Sequence, residues 1–252
     1  MTLVLNEFYL YEGLNKTMIV AAADRRITMP DGSIRPPRKK LFEIPYLYGV
    51  ISYFGLAVVF PRRQQEYLSS WLPNFIRHHS GAHSLQSFAE SLRVELNQIV
   101  PPPLLRTRAS GFHICGYDDR GFPDFWFLSN IGGRREGQYV DFQPQYAPPT
   151  NAFLGRDAGN EFGWDGTDPL SARNGAWVYR NGDFRAHHAA WELLDEIFRR
   201  VFRFADFRPP RNPKQYGEYV KFKLEFIAKV YDKYATKKII GKPIDVLVFH
   251  NP

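Results

Sequence analysis

The sequence predicts an α+β fold built on antiparallel sheets. Its N-terminal part, about fifty residues long, contains strand patterns with no helix between them, which favours hairpins over parallel strands joined by helices. Two amphipathic helix patterns, a second group of strand patterns, two further helix patterns and a final strand follow in that order. No repeat or low-complexity linker divides the chain, so residues 1–252 are predicted to form a single domain.

The first strand patterns form two predicted pairs. "TLVLNEFYLY" and "TMIVAAAD" flank "EGLNK", in which Gly13 and Asn15 favour a turn. A further turn is predicted around Pro30-Asp31-Gly32. "KLFEI" and "YLYGVISYF" form the next pair, which is interrupted at Pro45. The four strands are therefore predicted to lie in an antiparallel arrangement.

Two helices are predicted next. "RRQQEYLSSWLPNFIRHH" carries apolar residues at helical spacing, with a kink expected at Pro73. "SLQSFAESLRVELNQIV" begins at Ser84, a favourable N-cap, and ends before the prolines of 101–103. Both helices are expected to lie on one face of a sheet.

In the rest of the chain, predicted strands are again followed by two predicted helices, and a final strand comes after them. "ASGFHICGYDD", "PDFWFLSN", "GQYVDFQP" and the short "NAFLG" are predicted strands, whereas "NGAWVYRNGDFRAHH" is either a loop or a hairpin around Asn181-Gly182. "HAAWELLDEIFRRVFRF" and "YGEYVKFKLEFIAKVYDKYAT" are predicted helices, and "KPIDVLVFH" is the last strand. In the second of these helices the predicted core stripe is Phe222, Phe226, Ile227, Val230 and Tyr234.

Composition excludes several classes of function. No apolar run approaches the roughly 20 residues that cross a bilayer, and the N-terminus is not predicted to be a signal peptide. The single cysteine, Cys115, excludes an internal disulfide and a cysteine metal cluster, and it favours a cytoplasmic location. The histidines show no complete zinc spacing. The net charge of +7 is scattered over the chain without a nucleic-acid motif, so nucleic-acid binding is not predicted.

The stretch "IVAAADRRIT" raises a chemical question. A strand of small residues runs into Asp24, Arg25 and Arg26 without a turn residue between them. Either the strand emerges into water at this point, or it holds a charged residue inside a site.

The same stretch carries a resemblance. "TMIVAAADRRIT" followed by "KKLFEI" resembles the start of proteasome β-type subunits, which belong to the N-terminal nucleophile hydrolase superfamily. Asp24, Arg26 and Lys40 match that family's Asp-x-Arg and its following basic residue, and Thr2 occupies the position of the nucleophile. "HICGYDDRGFPDFWFLS" and "IIGKPIDVLVF" resemble the family's central hairpin and final strand. The resemblance implies a four-layer αββα sandwich with two stacked antiparallel sheets.

The implied activity is hydrolysis of amide bonds by an N-terminal threonine, without metal or organic cofactor. After removal of Met1, the hydroxyl of Thr2 is the nucleophile and its α-amine is the general base. Lys40 lowers the pKa of that amine, and Asp24 holds Lys40 in place. Arg26 completes the predicted catalytic set. The resemblance also suggests self-association into a homo-oligomeric ring that acts on a peptide or another amide.

The resemblance predicts a specific geometry. Asp24 and Lys40 are expected about 3 Å apart, and Thr2 Oγ1 about 3–4 Å from Lys40 Nζ. Arg26 is expected to point toward the same pocket or support its wall, and Arg25 to face away, because neighbouring residues on a strand alternate. The structural alternative for Asp24 and Arg26 is an ion pair that bridges two strands.

Three motifs depart from the family pattern. The expected oxyanion turn reads "SYFG", Ser52 to Gly55; the motif that supports the nucleophile reads "LGRDAG", with Arg156 in place of a serine; and "TKKIIGKP" stands before the last strand. These departures favour the alternative function, which is a catalytically silent scaffold or binding protein with the same fold.

Overall fold

The chain has a mixed α/β architecture with antiparallel sheets. The structure is a computed structural model that describes residues 2–29, 31–135, 138–148, 163–164, 167–183 and 185–251. The strands are β1 Leu3–Leu10, β2 Thr17–Asp24, β3 Ile27–Thr28, β4 Ile34–Arg35, β5 Leu41–Ile44, β6 Gly49–Phe54, β7 Val58–Val59, β8 Glu66–Tyr67, β9 Gly111–Tyr117, β10 Pro123–Arg135, β11 Gln138–Ala147, β12 Gly175–Gly182 and β13 Ile244–His250. The helices are α1 Leu68–His78, α2 Leu85–Ile99, α3 Pro102–Leu105, α4 Arg185–Val201 and α5 Pro213–Tyr234.

The first sheet joins the two ends of the chain. Its strand order is β12-β1-β2-β13, and every neighbouring pair is antiparallel. Val4 of β1 lies opposite Ala23 of β2, and Ile244 of β13 lies opposite Asp24. The start of β1, the end of β2 and the start of β13 therefore lie side by side at one end of the strands of this sheet.

The second sheet has the order β11-β10-β9-β6-β5 and is also antiparallel. Asp31 and Gly32 of the predicted turn lie between β3 and β4, which form a short antiparallel pair. A second short pair, β7 and β8, leads into α1. These two short pairs flank the start of β5, where the site described below is located.

Buried apolar side chains form three clusters. One cluster contains residues of both sheets, among them Val4 and Ala21 of the first and Val50 and Phe127 of the second. Another combines α1 and α2 with β5, β6 and β9, as predicted for these two helices. The third combines α5 and Trp191 of α4 with β1 and β2. Alternation along each strand divides its side chains between the two clusters on either side.

The predicted core stripe of α5 is wrong except at Ile227. Phe222, Phe226 and Tyr234 are exposed and Val230 is half-buried. The buried face is formed instead by Gly217, Val220, Lys223, Leu224, Ile227, Ala228 and Tyr231. This face includes Lys223, which a search for apolar residues does not identify. Lys223 Nζ donates to Asp195 at 2.8 Å and lies 3.6 Å from the centre of the Trp191 ring.

Other local predictions have mixed outcomes. Ser84 caps α2 as predicted, through reciprocal hydrogen bonds with Ser87. The hairpin or loop expected around Asn181-Gly182 is wrong, because both residues end β12, which pairs with β1 along its whole length. The predicted strand "NAFLG" lies outside the described residues. In the described ranges, no helix is long and apolar enough to span a membrane.

His187 is a buried histidine on α4. Its ring stacks on that of Trp191 with centroids 4.3 Å apart, and neither ring nitrogen has a hydrogen-bond partner among the described residues. Burial, and to a smaller extent the positive charges of Arg180 and Lys223 and the neighbouring His188, lower the pKa of His187 to about 2. The folded protein therefore keeps this imidazole neutral under mildly acidic conditions.

We expect acid to destabilise the protein through His187. The unfolded chain protonates this histidine as the pH falls below about 6.5, whereas the folded chain does not until the pH is about 2. Its contribution to stability is therefore complete above pH 6.5 and decreases below it, by roughly 2–3 kcal/mol at pH 4.5. His187→Phe keeps the stacked ring and removes the titration, so its unfolding free energy in urea should fall less between neutral pH and pH 4.5.

The control for this experiment is His78→Phe, which makes the same change at an exposed position on α1. It should keep the pH dependence of the wild type. An unchanged pH dependence in His187→Phe would contradict the prediction.

Candidate active site

Thr2, Asp24 and Lys40 lie in contact at the ends of three strands, β1, β2 and β5. Thr2 precedes β1, Asp24 ends β2 and Lys40 precedes β5. Lys40 Nζ lies 2.5 Å from Thr2 Oγ1 and 3.4 Å from Asp24 Oδ1, and the Thr2 hydroxyl donates to the same carboxylate oxygen. Each residue is only 2% exposed. The strand therefore does not emerge into water at Asp24, because it ends in a buried polar cluster.

The carboxylate of Asp24 accepts hydrogen bonds from three separate segments of backbone. The N–H of Leu3 lies 3.0 Å from Oδ1, and the N–H groups of Arg26 and Gly241 lie 3.0 and 3.4 Å from Oδ2. Burial raises the pKa of Asp24, and the ammonium of Lys40 and these N–H donors act in the opposite direction. The carboxylate is thus solvated by the protein in place of water.

Lys40 has acceptors for all three of its N–H bonds. Besides Thr2 and Asp24, its Nζ donates to the carbonyl of Arg26 at 2.5 Å. Burial lowers the pKa of Lys40, and the charge of Asp24 raises it. The backbone of Lys40 is held from the other side, because its carbonyl accepts from the N–H of Tyr53 at 3.2 Å. The ammonium is therefore fixed in position against the Thr2 hydroxyl.

The two arginines after Asp24 point in different directions. Nη1 of Arg26 donates to Asp232 at 2.5 Å and to the carbonyl of Ile240 at 3.0 Å, and its side chain lies in the wall of the cavity described below. Arg25 instead forms a bidentate ion pair with Asp245. The alternative of an Asp24–Arg26 side-chain ion pair is wrong for the described contacts, since Arg26 reaches Asp24 through its backbone N–H.

Sequence reasoning missed three residues that hold the site. Gly241, in the segment "TKKIIGKP", donates to Asp24, and a Cβ at this position would lie 2.0 Å from Arg26 Cζ. The N–H of Asp183 donates to the carbonyl of Thr2 at 2.8 Å. Gly182 has a φ of 95°, and a Cβ there would lie 1.7 Å from the Thr2 carbonyl oxygen. The glycines mark close backbone approach, but the sequence does not show what approaches.

A cavity of about 330 Å³ opens beside Thr2 and Lys40. Its wall includes apolar residues of β3, β6 and the segments that follow them, and Gly55 contributes backbone. The turn expected at Ser52 to Gly55 is wrong in its extent, because residues 52–54 belong to β6 and the loop begins at Gly55. Gly55 has a φ of 85°, and a Cβ there would lie 1.9 Å from the carbonyl oxygen of Ala109. Arg156 lies outside the described residues.

The described residues offer no group of three or more histidine, cysteine or carboxylate side chains that could hold a metal ion. Cys115 is buried in β9, where burial raises the pKa of its thiol well above the usual range. At the site itself, a hydroxyl, an ammonium and a carboxylate are in contact.

Comparison with known proteins finds similarity to solved structures at low sequence identity. No family model matches the chain, and no curated protein is similar to it. A Gly-1 mutant of Anbu from Hyphomicrobium sp. strain MC1 is 16% identical, with a TM-score of 0.43 over 99% of this chain and 81% of that one. Anbu from Yersinia bercovieri, described as an ancestral beta-subunit, is 10% identical, with a TM-score of 0.44 over 98% and 81%. HslV from Trypanosoma brucei is 12% identical, with a TM-score of 0.37 over 98% of both chains.

We expect Lys40→Met to destabilise the protein by about 3–5 kcal/mol, because it leaves the buried carboxylate of Asp24 without its counter-charge. The combination Lys40→Met with Asp24→Asn removes both charges and should recover part of this loss. Urea unfolding of the two variants and the wild type measures the difference.

Lys16→Met is the matched control, since Lys16 pairs with Glu12 on the surface with both side chains more than half exposed. It should change the unfolding free energy by at most about 1 kcal/mol. Equal losses for Lys16→Met and Lys40→Met would show that the Lys40 charge is not buried against Asp24 in solution.

Proposed function

We propose that this chain is an N-terminal threonine hydrolase of the N-terminal nucleophile superfamily, a peptidase or amidohydrolase whose nucleophile is Thr2 after removal of Met1. The observation that carries the proposal is the contact of 2.5 Å between Lys40 Nζ and Thr2 Oγ1, next to a cavity large enough for part of a substrate. The single-domain, four-layer αββα arrangement is part of the proposal. The shared apolar cluster between the sheets and the helix clusters on their outer faces support it.

The first step joins Thr2 Oγ1 to the carbonyl carbon of the substrate, and this adduct becomes an ester when the C–N bond breaks in the second step. Removal of Met1 frees the α-amine of Thr2, which accepts the hydroxyl proton while Oγ1 attacks the carbonyl carbon of the amide. The ammonium of Lys40 lowers the pKa of that amine and stabilises negative charge on Oγ1. Asp24 keeps Lys40 charged, and Arg26 contributes its carbonyl to Lys40 and its side chain to the cavity wall.

The second step releases the products. The carbonyl oxygen becomes an oxyanion, for which we assign the backbone N–H of Gly55 as a donor, because Gly55 lines the cavity together with Thr2. The C–N bond then breaks, and the leaving nitrogen takes the proton from the α-amine. A water molecule hydrolyses the resulting ester: its hydroxyl joins the acyl carbon, and its proton returns to Oγ1.

The alternative function is a catalytically silent scaffold or binding protein. The sequence departures at Ser52 to Gly55 and at "TKKIIGKP" favour it. The hydrogen bond that the Thr2 hydroxyl donates to Asp24 favours it too, because this bond must break before the hydroxyl proton can move to an amine. The two functions differ in whether Thr2 becomes a free, reactive N-terminus.

We expect the purified protein to show the mass of the chain without Met1 and to react once with an electrophilic probe for N-terminal threonine. Mass spectrometry of the labelled protein should place the adduct on Thr2. Thr2→Ala should abolish labelling, and Lys40→Met should reduce it by at least about tenfold, because the amine loses the neighbouring charge that lowers its pKa.

Thr107→Ala provides the control, since Thr107 is an exposed threonine at the end of α3. It should be labelled like the wild type. Retention of Met1, or a processed protein that the probe does not label at Thr2, would leave the scaffold function.

Self-association into a homo-oligomer also belongs to the proposal. Its structural support is a set of exposed apolar side chains on α4 and α5, namely Leu193, Ile197, Phe222 and Phe226. Light scattering should give a mass that is a multiple of the chain mass. A monomer over the whole concentration range would contradict this part of the proposal.

A further inference from the structure

The cavity beside Thr2 has a one-sided charge. Its lining residues include the basic residues Arg26, Arg35, Lys40 and Arg108, and none of the described residues that line it is acidic. Asp24 does not line the cavity and faces Lys40. A substrate group that enters the cavity therefore meets the positive charge of these four side chains.

Two of these cations are already neutralised. Lys40 faces Asp24, and the guanidinium of Arg26 pairs with Asp232. Arg35 and Arg108 differ from them, because neither forms an ion pair with a described residue.

Asp31, an acidic residue whose charge interacts with that of Arg35, does not line the cavity. Hydrogen bonds from Ser33 hold the pKa of the exposed Asp31 below its usual range, and Arg35 adds to this effect from a greater distance. The guanidinium of Arg35 therefore has donors available for an incoming anion.

Arg35 and Arg108 come from separate segments of the chain. Arg35 is on β4, whose partner strand β3 contributes Ile27 and Thr28 to the cavity. Arg108 follows α3, and its carbonyl accepts a hydrogen bond from Asn130 at 2.8 Å, which anchors the backbone at this point. Both side chains start from exposed positions, so they line the mouth of the cavity while Thr2 lies at its buried end.

Much of the remaining wall is apolar. Ile27, Phe54, Leu56, Val58 and Leu104 line the cavity together with the basic residues and Thr2. Arg38 adds further positive charge outside the wall, since its guanidinium stacks 3.4 Å above the ring of Tyr67, which is a lining residue. This combination suits a group with an apolar stem and a negatively charged end.

We propose that the cavity binds an acyl group whose side chain ends in a carboxylate, so that the substrate is a peptide or amide with a glutamate or aspartate on the acyl side of the bond that is cleaved. This inference rests on the proposed function for the cleavage step, whereas binding of the acidic side chain does not require cleavage. Arg35 and Arg108 are the residues that determine the specificity.

The first test compares pairs of fluorogenic amides that differ only in glutamate or glutamine, and in aspartate or asparagine, at the acyl position. The wild type should hydrolyse the acidic member with a kcat/KM at least about tenfold higher. In the double variant Arg35→Gln with Arg108→Gln this ratio should approach 1. The preference should also decrease as salt is added.

Arg106→Gln is the matched control, because Arg106 is an exposed arginine that ends α3 without lining the cavity. It should keep the tenfold ratio. Circular dichroism should show that all variants are folded, which is expected because the substituted side chains are exposed. Hydrolysis with equal rates for the acidic and neutral members would overturn the specificity and leave the proposed function intact.

A binding experiment separates the two proposals if no amide is hydrolysed. Calorimetry with Thr2→Ala compares the peptide amides acetyl-Ala-Ala-Glu-NH2 and acetyl-Ala-Ala-Gln-NH2. Binding of the glutamate peptide at least about fivefold more tightly, lost in the Arg35→Gln and Arg108→Gln background, would support the acidic site even though the hydrolase function had failed. Equal affinity for both peptides, or a preference that persists without the two arginines, would overturn the inference.

Discussion

Burial of the Lys40–Asp24 charge pair is the constraint on which the site depends. Transfer of each ion from water to the protein interior costs several kcal/mol, so the protein must replace the lost water with hydrogen bonds. It does so with backbone N–H groups for Asp24 and with a backbone carbonyl and the Thr2 hydroxyl for Lys40. Each of these partners fixes a segment of chain. The need to solvate two charges therefore determines where β1, β2 and the loop before β13 lie relative to one another.

The charged cluster could be located from the sequence because its signals are local. The run of small residues that ends in Asp24 has the pattern of a buried strand, and the interval to Lys40 is part of the family resemblance. The contacts of Gly182 and Gly241 could not be located, since a glycine permits a close approach without showing which group approaches: it is the Thr2 carbonyl at Gly182 and the Arg26 guanidinium at Gly241. Gly182 and Gly241 lie far along the chain from Thr2 and Asp24.

The fold was predictable where periodicity determines it. The strands β1 and β2 and the helix α2 follow their apolar patterns closely. The pattern failed for α5, where Lys223 takes a core position through its contacts with Asp195 and Trp191. It also failed for the end of β12, where Asn181 and Gly182 have little strand preference of their own and are ordered by their pairing with β1. In both places tertiary contacts outweigh local propensity.

The hydrogen bonds to Asp24 have a consequence for the time at which the site forms. Their donors belong to Leu3, Arg26 and Gly241, so they span almost the whole chain. Before the segment around Gly241 and β13 has been synthesised, the Asp24 carboxylate of the nascent chain lacks the Gly241 donor. At this stage β2 also lacks its neighbouring strand β13. The hydrogen bonds of the buried threonine, lysine and aspartate are thus complete only after the segment around Gly241 has been synthesised. A half-made chain consequently does not present the complete arrangement to other nascent proteins.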